Sequence, residues 1–360
     1  MKVLHLPTNI ASQIAVTVRA LRDIGINARG LAKSLHYHED DKNIELLPCV
    51  TAGRYSVNRM AQKVSRWRSA FQALKWADII HWYSTGHVLP LELDLKYCAF
   101  SNKPRVVEFW GSDVRIPNIA RADNSYMGEM YQSYPQLAHG KRQRSLKGQR
   151  KFSHYGFACL VPDSEIGSYI EKDMWSLRYR SRQRLILSDF APKYPDISSR
   201  HPVLIHAPSH KSKKGTEFIL NAVKQLQGSY DFEFRLIHGV SHSEALKAIR
   251  DCDIMVDQII VGSHGLAALE AMAFGKPTLC YIKPSLVPTY PPALPIVNAS
   301  KENITRVLAG LLKDRKKRHE IGRQSRAYVE KYHDAHKVAR DLVTIYEELL
   351  ARVRKGSGAR

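Results

Sequence analysis

A lone carboxylate, Glu270, stands in the apolar segment GLAALEAMAFGKPTLCY, residues 265–281. The composition of this segment predicts a mostly buried helix. Acidic side chains are rarely buried without a partner, because burying an unpaired charge costs free energy. Two partners fit Glu270: its own helical turn, through the helix dipole, or the vicinal hydroxyls of a sugar such as a ribose.

A cluster of cationic side chains lies in HAPSHKSKKGTEFIL, residues 206–220. Ser209, Lys211 and Lys214 fall in a turn between a predicted strand and a helix that begins after Gly215. Cations and free backbone N–H groups at the start of a helix suit a phosphate, and a solvated Lys-rich turn is the alternative. The spacing is not that of a P-loop.

Two further turns are predicted at the same sheet edge. Gly239 ends a predicted strand and lets a ligand approach the backbone closely. Asp257 ends the next strand. Gly265 and Leu266 then begin the helix that carries Glu270, and their N–H groups suit an anion.

These turns belong to a pattern in which apolar runs of strand length alternate with helical stretches, which predicts parallel sheets flanked by helices. Residues 12–25 are predicted as the first crossover helix, with Ser12 as its N-cap and Gly25 as its end. Ligands of such sheets bind beyond the carboxyl ends of the strands, so the chemistry is expected in the turns that follow them. The predicted strands are residues 3–6, 28–32, 44–50, 78–83, 105–110 and 157–162, then 203–209, 232–239, 253–258, 277–282 and 295–299.

Length and charge narrow the functional class. A chain of 360 residues predicts two domains, and the Pro- and Ser-rich stretch 188–202 is interpreted as their connection. The net charge of +21 predicts attraction to polyanions, and residues 141–151 form the densest basic run. No RNA-binding module accompanies these runs, so a membrane surface or a phosphate-bearing substrate is favoured and nucleic acid is not expected as a partner.

Other features argue against several classes. Five widely spaced cysteines are interpreted as reduced core thiols, and the first seven residues lack the features of a signal peptide, so a cytoplasmic protein is expected. HYHEDD (36–41) is interpreted as a polar loop, and DCD (251–253) precedes its strand, so no metal site is predicted. No G-x-G-x-x-G follows the first strand, which disfavours an NAD dehydrogenase.

Taken with WGSDVR (110–115), the segments 206–220 and 265–281 resemble the retaining glycosyltransferases of the GT-B fold, family 4, also called glycosyl transferases group 1. The resemblance spans nearly the whole chain and is strongest over 203–282. It implies an α/β protein of two Rossmann-like domains whose parallel sheets face each other across a cleft. The implied domains are an acceptor-side domain at 1–190, with a C-terminal helix of about 336–360 packing back on it, and a nucleotide-sugar donor domain at 200–335.

The resemblance also implies roles for individual residues. Lys214 would contact the donor diphosphate as a catalytic residue, and Glu270 would bind the nucleotide ribose. Asp113 would be a catalytic residue on the acceptor side, together with Trp110, Gly111 and Ser112. The implied donor-binding set is Ser209, Lys211, Lys214, Gly215, Gly239, Gly265, Leu266 and Glu270.

Three positions depart from the family pattern. Gly262 stands where the family usually has a Glu that contacts the transferred sugar, and Trp110 stands where a His is common. Pro208 replaces an Arg, so His206, His210 or Lys211 would have to substitute for it.

The expected function is retaining transfer of a sugar from a nucleotide-diphosphate sugar to a carbohydrate or lipid-linked acceptor hydroxyl, in cell-surface polysaccharide or glycolipid synthesis. No cofactor beyond the donor is expected, and attachment to the inner membrane face is compatible with the charge. The alternatives are a non-catalytic nucleotide-sugar or glycan-binding protein, and a sugar-nucleotide epimerase or phosphorylase.

Overall fold

A computed structural model describes residues 1–34, 42–50 and 57–357 of the chain. The predicted polar loop HYHEDD (36–41) therefore lies outside the described residues. The chain divides into two compact units. The first unit comprises residues 1–116, 140–184 and the chain from 335 onward, and the second comprises residues 117–139 and 185–334.

Each unit is built on one parallel sheet. In the first unit seven strands lie in the order β3-β2-β1-β4-β5-β6-β7, and in the second five lie in the order β12-β11-β10-β8-β9. The strands are β1 Lys2–Leu6, β2 Asn27–Ala32, β3 Ile44–Leu46, β4 Ile79–Tyr83, β5 Arg105–Glu108, β6 Ala158–Val161, β7 Arg178–Arg180, β8 Val203–His206, β9 Glu233–Leu236, β10 Ile254–Val256, β11 Thr278–Cys280 and β12 Val297–Asn298.

Helices connect the strands. They are α1 Gln13–Asp23, α2 Val57–Trp76, α3 Leu93–Phe100, α4 Pro117–Asp123, α5 Ser125–Ser133, α6 Lys141–His154, α7 Ser164–Gly167, α8 Lys211–Lys214, α9 Thr216–Leu226, α10 His242–Asp251, α11 Leu266–Ala273, α12 Ile304–Lys313, α13 Arg315–Tyr332 and α14 Ala335–Ser357. Within the described ranges, no helix combines the length and the apolar character that a membrane crossing requires.

The second unit shows why these strands are apolar throughout. Leu204 and Ile254 pack on one face of its sheet with α9 and α12. Ile205 and Met255 pack on the other face with α11 and α13. Because helices cover both faces of a parallel sheet, the strands are continuous apolar runs rather than alternating ones.

The strands of the structure are shorter than the predicted runs at several ends. The predicted strand 44–50 pairs with β2 only over Ile44–Leu46. Pro48 has no backbone N–H to donate to the sheet, which ends the ladder.

Ser12 occupies the predicted N-cap position of α1, but its side chain makes no cap hydrogen bond. The Oδ1 atom of Asn9 instead accepts the N–H groups of Ile14 at 3.1 Å and Ala15 at 3.4 Å. A short 3-10 turn, Ile10–Ser12, brings Asn9 to the helix end, and the sequence pattern gave no sign of that turn.

Residues 117–139 were expected in the first domain, but the structure groups them with the second unit. Side-chain hydrogen bonds to other parts of the second unit account for this grouping. The Asn124 side chain donates to the carbonyl oxygens of Ile260 at 2.8 Å and Val261 at 3.0 Å, in the turn after β10.

Candidate functional site

The turn after β8 is held against the loop after β10, and this contact positions Lys214. Gly215 has a φ of +74°, and a Cβ at this position would lie 2.7 Å from the Ile259 Cγ1 atom. The carbonyl oxygen of Lys214 accepts the N–H of Ile259 at 3.1 Å. Only glycine satisfies both the left-handed backbone and the close approach, so Gly215 fixes Lys214 at the carboxyl edge of the sheet.

Lys214 and the start of α11 meet through Asp257. The Lys214 ammonium lies 2.5 Å from Asp257 Oδ1, and the N–H of Gly265 donates to Asp257 Oδ2 at 2.9 Å. The Asp257 side chain is fully buried, and that of Lys214 is 13% exposed. The structure thus brings Lys214 and Gly265 together, but the group that they hold is a carboxylate of the protein itself.

Glu270 has a partner that the sequence did not suggest. It lies one turn after Leu266 in α11, and its Oε1 atom is 2.9 Å from Nε2 of His242. Burial by itself lowers the pKa of His242, but the hydrogen bond and the charge of Glu270 outweigh it and raise the pKa. Glu270 is therefore satisfied neither by its own turn nor by a cation of the Lys-rich turn.

One sequence pattern could have indicated the position of His242 in the fold. Ser241 and Glu244 form a capping box, in which the Ser241 side chain accepts the N–H of Glu244 and the Glu244 side chain accepts the N–H of Ser241. This S-x-x-E pattern fixes the start of α10 and so places His242 in its first turn.

Three other predicted donor-binding residues lie on the surface of the second unit. Ser209 and Lys211 are exposed at the turn before α8 and at its first residue. Gly239 is exposed after β9 with a φ of +74°, and no described atom lies within 4 Å of the place where its Cβ would be. Space for a ligand near the Gly239 backbone is therefore open.

His206 does not substitute for the missing Arg, which corrects one of the three expectations for that position. Its ring is buried in the sheet, with Nδ1 2.8 Å from the Val256 carbonyl oxygen and Nε2 2.9 Å from Thr216 Oγ1. Burial lowers the pKa of His206 to about 4. A neutral ring with both nitrogens occupied cannot supply charge to a phosphate.

The local structure explains why position 262 is a glycine. Its φ is +85°, and a Cβ there would lie 3.0 Å from Asn124 Nδ2 and 3.1 Å from Lys283 Cβ. Lys283 also donates its N–H to the Gly262 carbonyl oxygen at 3.0 Å. The side chains of Asn124 and Lys283 thus occupy the space next to Gly262 that a larger residue would need.

In the first unit, the predicted acceptor-side residues form one turn after β5. Asp113 Oδ1 accepts the N–H groups of Trp110 at 3.1 Å and Gly111 at 2.8 Å. Burial raises the pKa of Asp113, although these hydrogen bonds act in the opposite direction. Ser112 is exposed, and its carbonyl oxygen accepts a hydrogen bond from Lys141 at 3.1 Å. In this structure the Asp113 carboxylate closes its own turn.

Beside that turn lies a buried charge cluster that the sequence analysis missed. Arg184 donates to both oxygens of Glu108, at 3.1 and 2.7 Å, and His81 Nε2 lies 3.1 Å from Glu108 Oε2. Burial would raise the pKa of Glu108, but the charge of Arg184 and the contact with His81 lower it to about 2. The Arg184 guanidinium also lies over the Trp110 ring, 5.7 Å from its centroid.

The basic run 141–151 forms most of α6, and its two faces differ. Ser145, Gly148, Gln149 and Phe152 are buried. The exposed side chains include Lys147 and Arg150 on the opposite face and Arg142 and Arg144 on its flanks.

Both carboxylates of the segment DCD (251–253) have partners within the protein. Asp251 pairs with Lys193 at 2.9 Å, and Asp253 Oδ2 accepts the N–H of Val203 at 2.8 Å. In the part of the chain that the structure describes, no group of three or more His, Cys, Asp or Glu side chains is arranged to hold a metal ion.

Comparisons with known proteins address the fold. No protein-family model matches the chain, and no curated protein sequence matches it. Sucrose-phosphate synthase from Thermosynechococcus elongatus is similar in structure, with a TM-score of 0.65, 14% identity, and coverage of 98% of this chain and 100% of that chain. WaaG, a glycosyltransferase involved in lipopolysaccharide biosynthesis, matches with a TM-score of 0.59, 12% identity, and coverage of 96% and 99%.

A third similar structure is the UDP-GlcNAc 2-epimerase from Neisseria meningitidis bound to UDP-GlcNAc, with a TM-score of 0.55, 14% identity, and coverage of 98% of this chain and 100% of that chain. The structural neighbours are enzymes of the GT-B fold, and glycosyltransferases are prominent among them. The predicted fold class, α/β with two Rossmann-like units of the GT-B type, is therefore confirmed.

Proposed function

We propose that this protein transfers a sugar from a nucleotide-diphosphate sugar to an acceptor hydroxyl, with retention at the anomeric carbon. One observation carries the proposal. The carboxyl edge of the five-stranded sheet holds a cation, Lys214, beside the N-terminus of α11, and a buried carboxylate, Glu270, one turn into the same helix. A diphosphate needs the first two groups, and a ribose the third.

The proposed roles follow from the charge that develops during the reaction. When the bond to the sugar breaks, negative charge grows on the leaving diphosphate, and a cation and helix N–H groups already aimed at it lower the barrier. We assign these roles to Lys214 and to the backbone N–H groups of Gly265 and Leu266. Glu270 would accept hydrogen bonds from the ribose hydroxyls. No cofactor beyond the donor is needed in this scheme.

The acceptor side is proposed in the first unit, at the turn formed by Trp110, Gly111, Ser112 and Asp113. Asp113 is the one carboxylate of that turn, and burial raises its pKa, the direction that favours a role as a proton acceptor. A carbohydrate or lipid-linked acceptor is supported by the likeness to WaaG. Synthesis of a cell-surface polysaccharide or glycolipid is the matching role.

The first test is a thermal-shift screen of nucleoside diphosphates and their sugar conjugates, because a ligand that binds only the folded state raises the melting temperature. We expect one nucleotide family to stabilise the wild-type protein. Lys214→Ala and Glu270→Ala should abolish the shift. His201→Gln, in an exposed pair with Asp231, is the control and should keep it. No shift with any nucleotide in folded wild-type protein would contradict the proposal.

A second candidate function is epimerisation of, or simple binding to, a nucleotide sugar. The likeness to the Neisseria epimerase and the glycine at position 262 favour it. Incubation with the stabilising nucleotide sugar separates the candidates. A transferase releases the nucleoside diphosphate in the presence of acceptor, an epimerase yields an isomeric sugar, and a binding protein returns the donor unchanged.

Attachment to an anionic membrane is the remaining part of the proposal. The exposed cations of α6 supply a basic surface that would attract anionic headgroups, at a cytoplasmic location on the inner membrane face. We expect cosedimentation with liposomes that contain anionic lipid, and release by added salt. Binding should weaken in the variant Arg142→Glu/Lys147→Glu/Arg150→Glu, and salt-insensitive or absent binding in the wild type would contradict this part.

A further inference from the structure

The proposed phosphate site already contains an anion, the Asp257 carboxylate. One oxygen of Asp257 is 2.5 Å from the Lys214 ammonium, and the other accepts the Gly265 N–H at 2.9 Å. Both groups are among the donors that the proposed function assigns to a phosphate at this edge. A carboxylate and a phosphate oxygen make the same kind of charge-assisted hydrogen bond, so the two anions compete for the same donors.

The three groups are packed with no spare space. A Cβ on Gly265 would lie 3.2 Å from the Lys214 ammonium and 3.3 Å from Asp257 Oδ2. The Asp257 side chain has no exposed surface. A phosphate therefore cannot join Lys214 and Gly265 while the carboxylate keeps both contacts.

His264 is a second unusual feature next to these groups. It directly precedes Gly265, is 4% exposed, and has no hydrogen-bond partner on either ring nitrogen. Burial lowers the pKa of His264 to about 4, and the negative charge of Asp257 acts on it in the opposite direction. Buried polar atoms without partners are rare in folded proteins and call for an explanation, which a catalytic or binding role can supply.

We propose that Asp257 is an exchangeable internal anion: the phosphate of a ligand takes over Lys214 and the Gly265 N–H from the Asp257 carboxylate. This inference rests on the proposed function and adds a specificity rule to it. The displaced carboxylate stays nearby and repels the incoming anion. A free nucleoside diphosphate carries one more negative charge than its sugar conjugate. Asp257 therefore weakens product binding more than donor binding and favours product release.

The test is calorimetric titration with inorganic pyrophosphate, with the nucleoside diphosphate and with its sugar conjugate. Asp257→Asn removes the charge and keeps an oxygen that can accept the Gly265 N–H. We expect its affinity for pyrophosphate to rise about tenfold, because one repelling charge within a few ångströms is lost. The affinity for the nucleoside diphosphate should rise more than that for the sugar conjugate.

Two variants serve as controls. Asp253→Asn makes the same change at the amino end of β10, where Asp253 accepts the Val203 N–H, and it should leave pyrophosphate affinity unchanged. Lys214→Gln combined with Asp257→Asn should cancel the gain, because the freed ammonium is its source. If Asp257→Asn does not fold, Asp257→Ser offers a hydroxyl acceptor instead and is expected to shift affinity in the same direction.

Each outcome decides between the two proposals. Equal or weaker pyrophosphate binding by both Asp257 variants would overturn the inference and show that Asp257 orients Lys214 for the ligand. A rise in pyrophosphate affinity without any response to nucleotides would support the anion exchange and contradict the proposed function. Pyrophosphate binding by none of the proteins would overturn the inference.

Discussion

The carboxyl edges of the two sheets both carry charged side chains, but these differ in access to solvent. In the first unit the Glu108–Arg184 pair has no exposed surface on either side chain. In the second unit Lys214 is 13% exposed beside Asp257, and His242 is 31% exposed beside Glu270. The Glu108–Arg184 pair is thus sealed from solvent, whereas each of the two pairs in the second unit presents one accessible member.

This difference separates two uses of charge. A sealed pair cannot exchange partners without exposing an unpaired charge to a low dielectric, so its bonds hold strands and loops together. A pair with an accessible member can trade its partner for a ligand at a lower cost. Charged residues at a sheet edge therefore mark a binding site only where one member reaches solvent.

Breaking the sealed pair should have the largest effect on stability. Glu108→Gln leaves the Arg184 guanidinium buried without its counter-charge, and we expect the free energy of unfolding to fall by about 3–5 kcal/mol. Urea denaturation measures this loss. The matched control is Glu45→Gln in the partly exposed Arg29–Glu45 pair, for which we expect less than about 1 kcal/mol. Equal losses in the two variants would remove the distinction between sealed and exposed pairs.

The same pair predicts an acid dependence. The pKa of Glu108 is lowered to about 2 in the folded protein, below its unfolded value. Its contribution is therefore present above the unfolded pKa and is lost as the pH falls through the folded one. Between about pH 4.5 and 2, wild-type stability should fall more steeply than that of Glu108→Gln.

In the second unit, Gly262→Ala should cost about 2–4 kcal/mol, because a positive φ and crowding by Asn124 and Lys283 add together. Gly239→Ala shares the positive φ but meets no atom within 4 Å, so we expect about 1 kcal/mol. Thermal and urea denaturation compare the two. Gly262→Glu, which supplies a carboxylate at this position, should lower stability and leave the activity no higher than that of the wild type. A stable and more active Gly262→Glu protein would contradict this account.

Sequence periodicity predicted the fold well, because strand positions depend on local apolar runs. The rule that ligands bind after parallel strands also pointed to Lys214, Asp257 and Gly265, which the structure brings together. The partner of Glu270 was not predictable in this way. His242 lies 28 residues away in sequence, and only the packing of α10 against α11 brings the two side chains together.

The same limit explains the other errors. Asn124 bonds to carbonyl groups 136 and 137 residues away, and no local pattern reports such a contact. Arg184 lies 76 residues from Glu108, and no local pattern indicated that the two side chains would meet. Side chains whose partners are distant in sequence are the part of the site that composition and spacing cannot supply.

The cap of α1 gives a prediction of intermediate size in the first unit. Asn9→Ala removes the oxygen that accepts two helix N–H groups, and we expect a loss of about 1 kcal/mol in the free energy of unfolding. Ser12→Ala should change it by less than about 0.5 kcal/mol, because Ser12 makes no side-chain cap hydrogen bond. Urea denaturation of both variants measures the difference, and a larger loss for Ser12→Ala would show that the Ser12 side chain, rather than that of Asn9, caps the helix.

The smallest expected effect concerns the accessible His242–Glu270 pair. The pKa of His242 is raised, so the charged pair is present below the ordinary His pKa and is lost as the pH rises through the raised value. Below this raised pKa, the His242 imidazolium is paired with the Glu270 carboxylate, which we assign to the ribose hydroxyls. The affinity for a nucleotide sugar, whose diphosphate does not titrate in this range, should therefore rise about two- to fivefold from pH 6 to pH 8.

In His242→Gln the same titration should be flat, because the partner of Glu270 no longer changes charge. His201→Gln, which alters an exposed histidine paired with Asp231, should keep the wild-type slope. Calorimetric titration at four pH values resolves these slopes. A pH-independent affinity in the wild type, or an unchanged slope in His242→Gln, would mean that the ribose does not compete with His242. Glu270 would then belong with the sealed pairs of the first unit rather than with the exchangeable pairs of the second.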